Sequence, residues 1–81
     1  MQIRSLRDVA VGERLVVRYR LAQPGPGGST LSDALGLCRG VVEDAPEGAV
    51  IRIETRHGVV AVPLDAVTHA KLVPPPPPRR R

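Results

Sequence analysis

Residues 13–21, Glu-Arg-Leu-Val-Val-Arg-Tyr-Arg-Leu, alternate apolar with mostly basic side chains and carry the one aromatic residue of the chain. In a strand, successive side chains point to opposite faces. Leu15, Val17, Tyr19 and Leu21 therefore share one face, and Arg14, Val16, Arg18 and Arg20 share the other. The first face has to be buried. With so few aromatics available, its partners must be aliphatic, and Val, Leu, Ile and Ala favour strands.

The rest of the chain supplies those strands in short pieces. Ser5 to Gly12 holds one helical turn, with Ser5 placed to cap it and Gly12 to end it and turn the chain into the first strand. Residues 22–30, Ala-Gln-Pro-Gly-Pro-Gly-Gly-Ser-Thr, contain two prolines and three glycines and can continue neither a ladder nor a helix. They read as a long hairpin loop. They lack the Gly-Lys-Ser/Thr ending of a phosphate loop and the spacing of a dinucleotide fingerprint.

Leu31 to Glu43 is extended but too long for one flat strand, and Gly36 and Gly40 stand where a sharply bent strand needs room. Cys38 lies inside this bend and reads as a small buried hydrophobe, since no histidine or zinc-ligand spacing accompanies it. Asp44 to Gly48 is a turn by composition. Ala49 to Thr55 forms a third strand, with Ile51 and Ile53 on one face and Val50, Arg52 and Glu54 on the other. Arg56-His57-Gly58 turns it into a fourth strand, Val59 to Val62. Pro63 ends that strand, and Leu64 to Val67 has the length of a single 3₁₀ turn. Thr68 to Val73 is then a fifth strand returning to the first.

Four strands, a 3₁₀ turn and a closing fifth strand give an all-β fold: a small five-stranded SH3-like barrel over residues 1–73. Residues 74–81 form a proline- and arginine-rich linker or tail, because five consecutive prolines favour a stiff polyproline II rod. Pro74-x-x-Pro77 also has the form of a ligand for a proline-binding domain, but the spacer reading leads. No repeat of 20 to 50 residues is present.

Charge and cysteine content narrow the function classes. The formal charge of +4 falls to +1 without Arg79, Arg80 and Arg81, so the basic character belongs largely to the end of the chain. One cysteine forms no intrachain disulfide, which fits a reducing compartment. The N-terminus lacks the apolar stretch of a signal peptide, and no run approaches the roughly twenty apolar residues of a membrane span. These features lead us to expect a cytoplasmic protein without membrane contact.

No group of residues has the spacing of a catalytic or metal site. The two histidines, His57 and His69, and the single cysteine lie too far apart in sequence for zinc motifs. His57 is expected to be solvated at a turn, and His69 half covered on the last strand. The carboxylates are scattered among turns and strand ends, and the serines lack a nucleophile elbow. The expectation is no catalytic residue, no cofactor and no metal. The remaining candidate is a basic binding face of Arg14, Arg18 and Arg20, with Arg52 and Arg56 nearby. Such a face could bind nucleic acid, but Tyr19 stands alone and on the opposite face, and Glu43 and Glu54 are placed to neutralise the arginines.

Four stretches together resemble a known family. They are Val11-Gly-Glu-Arg-Leu-Val-Val-Arg-Tyr-Arg-Leu21, Leu31-Ser-Asp-Ala-Leu-Gly36, Thr55-Arg-His-Gly-Val-Val-Ala-Val-Pro-Leu-Asp-Ala-Val67 and Ala70-Lys-Leu-Val-Pro-Pro75. The chain looks like the N-terminal SH3-like domain of actinobacterial GNAT-family N-acetyltransferases, some of which are described as histone acetyltransferases. The resemblance implies a barrel ahead of a catalytic domain, with the proline run as hinge. The chain departs from the family by reaching Arg81 where the catalytic domain would begin, and it lacks the Gln/Arg-x-x-Gly-x-Gly/Ala signature that receives the acetyl-CoA pyrophosphate. No catalytic residue carries over. The expected function is a non-catalytic accessory domain with an acetyltransferase domain as partner. The alternative is a free-standing binding module for nucleic acid or peptide. Neither reading fixes an oligomeric state.

Overall fold

The computed structural model describes residues 5–74, and the expected polyproline segment from Pro75 onward lies outside them. Five strands, β1 (Arg14–Arg20), β2 (Leu31–Val42), β3 (Val50–Thr55), β4 (Gly58–Pro63) and β5 (Val67–Leu72), form one sheet. All pairings are antiparallel, in the order β4-β3-β2-β1-β5. The outermost strands, β4 and β5, do not pair with each other. Three single 3₁₀ turns, Leu6–Asp8, Pro26–Gly28 and Leu64–Ala66, complete the regular structure of the described residues. None of their helices is long and apolar enough to cross a membrane.

The core follows from the alternation. Leu15, Val17, Ala34, Cys38, Ile51, Ile53 and Val62 form one buried cluster, with Tyr19, Val60, Val67 and Leu72 packed at its margins. Burying each of the larger side chains contributes roughly 1.5 to 3 kcal/mol. Leu6 and Val9, from the N-terminal turn, also pack against the cluster. Ser5 caps that turn by accepting a hydrogen bond from the Arg7 amide at 3.3 Å. The turn ends at Val9, and Gly12 instead serves the next turn, at φ +96°. Val50 is buried although it alternates away from Ile51. It lies between its registered neighbours Val42 and Pro63 on the other side of the sheet.

The long strand β2 organises the rest. Its first half, Leu31 to Leu37, pairs with β1, and its second half, from Leu37, pairs with β3. Two glycines make this change of partner feasible. Gly36 lets the backbone of Glu54 and Thr55 cross close above it. Gly40, at φ +107°, absorbs the register shift between Cys38 and Val41. At the far end, Leu64 donates its amide to the Ala49 carbonyl at 2.9 Å, which ties the 3₁₀ turn after Pro63 to the start of β3.

Candidate functional site

Two concavities lie around the arginines singled out by the sequence. The first, about 460 Å³, is a dent on the outer face of β5, β1 and β2. Val16, Arg18, Asp33, His69 and Lys71 line it. Arg18 and Asp33 are registered partners across β1 and β2, and Arg18 Nε donates to Asp33 Oδ1 at 3.0 Å. This hydrogen bond, with the charge of Asp33 behind it, raises the Arg18 pKa above its ordinary value. His69 is exposed rather than half covered, with Nδ1 3.2 Å from Thr68 Oγ1. Alternation explains this: His69 pairs with Arg18 on the outer face, while Ala70 pairs with the buried Val17.

The second is a groove of about 860 Å³ between the first half of β2 and the tip of the β3–β4 hairpin. Tyr19, Ser32, Ala34 and Val60 line it together with Arg14, Arg56 and His57. Asp33 and Glu54 also border it. The hairpin tip is fixed locally: Thr55 Oγ1 accepts from the His57 amide at 3.1 Å and donates to the Gly58 carbonyl at 2.8 Å. Arg56 and His57 keep negative φ, and Gly58 takes the left-handed position at φ +117°. His57 is exposed there, as a turn residue should be.

The five candidate arginines have different surroundings. Arg14 and Arg56 both line the groove, and Arg18 lines the dent beside Asp33. Arg20 donates to the Asp65 carbonyl at 2.8 Å, and Arg52 lies opposite Ala61 on β3. The acidic partners also differ from those expected. Glu43 pairs with Arg7, Nε to Oε2 at 2.7 Å, and Glu54 with Arg39 at 3.5 Å. Neither touches the candidate set, because Glu43 follows the end of β2 beside the N-terminal turn and Arg39 lies on β2 next to β3.

Sequence reasoning missed that Tyr19 shares a groove with Arg14 and Arg56. The signal was Gly36, whose missing Cβ leaves room for the Glu54–Thr55 backbone leading into the hairpin tip. Among the described residues, no three of His, Cys, Asp and Glu gather to hold a metal ion, and no buried side-chain polar atom lacks a partner. No family model, curated protein or solved structure matches the chain.

Proposed function

We propose that this chain is an SH3-like barrel serving as a non-catalytic accessory domain of, or associated with, a GNAT-family N-acetyltransferase in the cytoplasm. The observation that carries the barrel reading is the strand order β4-β3-β2-β1-β5, with a 3₁₀ turn between β4 and β5 and a long β2 that pairs with both β1 and β3. The exit of the chain supports the hinge reading. The Val73 amide donates to the Arg14 carbonyl at 2.9 Å, and Pro74, immediately after it, is exposed. The body is therefore held up to the residue where the resemblance puts the linker. The buried free thiol of Cys38 suits a reducing compartment.

Isolated, the chain should not bind acetyl-CoA, because a GNAT site receives the pyrophosphate on backbone amides at a helix N-terminus. Calorimetry at millimolar acetyl-CoA should be flat, and joining residues 1–78 to a GNAT catalytic domain should change its melting temperature or its KM. Saturable cofactor binding, or acetyl transfer to any amine by this chain alone, overturns the reading.

The groove favours a second reading, a free-standing binding module for nucleic acid or peptide, because it unites Tyr19 with Arg14 and Arg56. A nucleic-acid site on the folded body should weaken steeply with salt and survive deletion of residues 74–81. Loss of all DNA and RNA affinity on that deletion assigns the binding to the tail.

A further inference from the structure

The groove contains an unpaired strand edge. In an antiparallel ladder, the backbone groups of alternate residues point toward the same neighbouring strand. The Cys38 amide donates to the Glu13 carbonyl at 2.8 Å, its carbonyl accepts from Gly12 at 2.8 Å, and the Leu21 amide donates to the Thr30 carbonyl at 2.9 Å. From Leu31 to Cys38, the even-numbered residues of β2 therefore point their N–H and C=O groups toward β1, and the odd-numbered ones point away. Leu37, odd, uses that side to pair with Glu54 of β3. Leu31, at the other end, has its carbonyl occupied by the Ser29 hydroxyl, which donates at 2.8 Å. Between them, Asp33 and Leu35 face away from β1, where no strand among the described residues pairs with them. Their donor and acceptor pairs are spaced about 7 Å apart, the repeat of an extended chain.

Residues from both faces of β2 line this groove, Ser32 and Ala34 from one and Asp33 and Leu35 from the other. That is the lining of a slot along a strand edge rather than a pit on one face. The two outer edges of the sheet carry ordinary protection, since β4 ends in Pro63 and β5 bears Lys71. The stretch Leu31 to Leu35 has no proline, lysine or bulge. Its volume lies within the roughly 300 to 1,000 Å³ of small-ligand pockets, which suits a short extended segment and not a second folded body.

Charge selects among extended segments. Asp33 is paired with Arg18 and Glu54 with Arg39, whereas Arg14 and Arg56 have no ion-pair partner among the described residues. The excess charge along the groove is positive. We propose that the open edge of β2 at Asp33 and Leu35 is a strand-addition site for a short, extended acidic peptide, whose backbone pairs with that edge and whose carboxylates meet Arg14 and Arg56. The site rests on the second reading above and deepens it, naming an acidic peptide as the ligand and the β2 edge as its docking strand, and it belongs to the folded body whether or not that body is joined to an enzyme.

The test uses the full chain, followed by backbone amide NMR, and a capped Val-Glu-Val-Glu-Val peptide. Saturating peptide should shift the amides of Asp33 and Leu35 and slow their hydrogen exchange at least about tenfold, while the Ala34 amide, already turned to β1, keeps its rate. Leu35→Pro, which removes one edge donor, should abolish binding, with retained amide dispersion reporting that the fold survives. Arg56→Glu, on an exposed turn, should weaken binding about fivefold and shift preference to the peptide with Lys in place of Glu. Four outcomes overturn the proposal. They are no response of Asp33 and Leu35 at millimolar peptide, an equal response of the native chain to the Lys peptide, concentration-dependent shifts of these amides without peptide, and tighter binding at them by single-stranded DNA. The third would make a second copy of the chain the occupant, and the fourth a nucleic acid.

Discussion

Gly36 of β2 sits so close beneath Glu54 of β3 that a Cβ at position 36 would overlap the Glu54 carbonyl oxygen and come within 3.1 Å of the Thr55 Cα. Both neighbours are backbone, so neither can rotate away. The crossing of β2 and β3 thus depends on the absence of one methyl group.

Gly36→Ala should therefore destabilise the fold by about 1 to 3 kcal/mol, through displacement of β3 rather than through backbone φ. Gly25→Ala is the control. Gly25 has φ −85°, and the tightest neighbour of an added Cβ is a terminal methyl of Leu21 at 3.2 Å. Urea unfolding should place this control within about 0.5 kcal/mol of the parent. If Gly36→Ala is equally mild, the crossing is wrong, and the groove beside Tyr19 goes with it.

The core assignment has its own test at Ile53, which is fully buried between Cys38 of β2 and Val60 of β4. Ile53→Ala should cost about 2 to 5 kcal/mol, the range for emptying a packed aliphatic site. Val59, one position before Val60 on β4, is 49% exposed, and Val59→Ala should stay within about 0.5 kcal/mol. A loss under about 0.5 kcal/mol at Ile53 would put it on the surface and shift the register of β3 by one residue.

Most of the chain trace was legible because period-two alternation and glycine or proline punctuation are local signals. Leu15 and Val17 go in, Gly58 sits in the hairpin, Pro63 precedes a 3₁₀ turn, and β2 is one long strand whose pairing shifts register between Cys38 and Val41. The candidate site was legible only in its parts. Arg14 and Arg56 are far apart in sequence, and only the crossing at Gly36 brings them to one groove with Tyr19. Charge pairing was legible in kind but not in partner. Asp33, not Glu43 or Glu54, neutralises Arg18, because the β1–β2 register sets them directly opposite. Long arginine side chains reach several positions, so sequence proximity to a strand does not choose among carboxylates.

The pairing of Arg7 with Glu43 makes a pH prediction. The hydrogen bond from Arg7, helped by its positive charge, holds the Glu43 carboxyl below its ordinary pKa, and the same pairing raises that of Arg7. For an acid with a depressed folded pKa, the stabilisation is fully present above the ordinary glutamate range. It is lost as pH falls through the depressed value. The Arg7 side of the linkage matters only in strong base. NMR titration should find Glu43 below the usual range in the native chain and back within it in Arg7→Ala, with the difference shrinking as salt is added. Because the pair ties the N-terminal turn to the end of β2, amide exchange around Leu6 and Val9 should quicken over the same acidic interval. An unchanged Glu43 titration in Arg7→Ala would remove the pair from solution.

Cys38 offers a test of how the bulge and the core cooperate. Its side chain is fully buried, its Sγ accepts from the Gly40 amide at 3.4 Å, and its thiol is 3.8 Å from the Val9 carbonyl to which it donates. A thiol reagent must wait for β2 to open or for the N-terminal turn to lift from the core. Native-state modification should therefore run at least about a hundredfold slower than in urea-unfolded chain, at a rate set by local opening. Gly40→Ala probes the same hinge. At φ +107° an L side chain is strained by about 1 to 3 kcal/mol, and the bulge should yield before the strands do. Modification of Cys38 should then accelerate more than exchange at Ile51, on the neighbouring strand. Equal acceleration at both positions would mean that the molecule opens only as a whole, and that the Cys38–Gly40 bulge is no weaker than the sheet it bends.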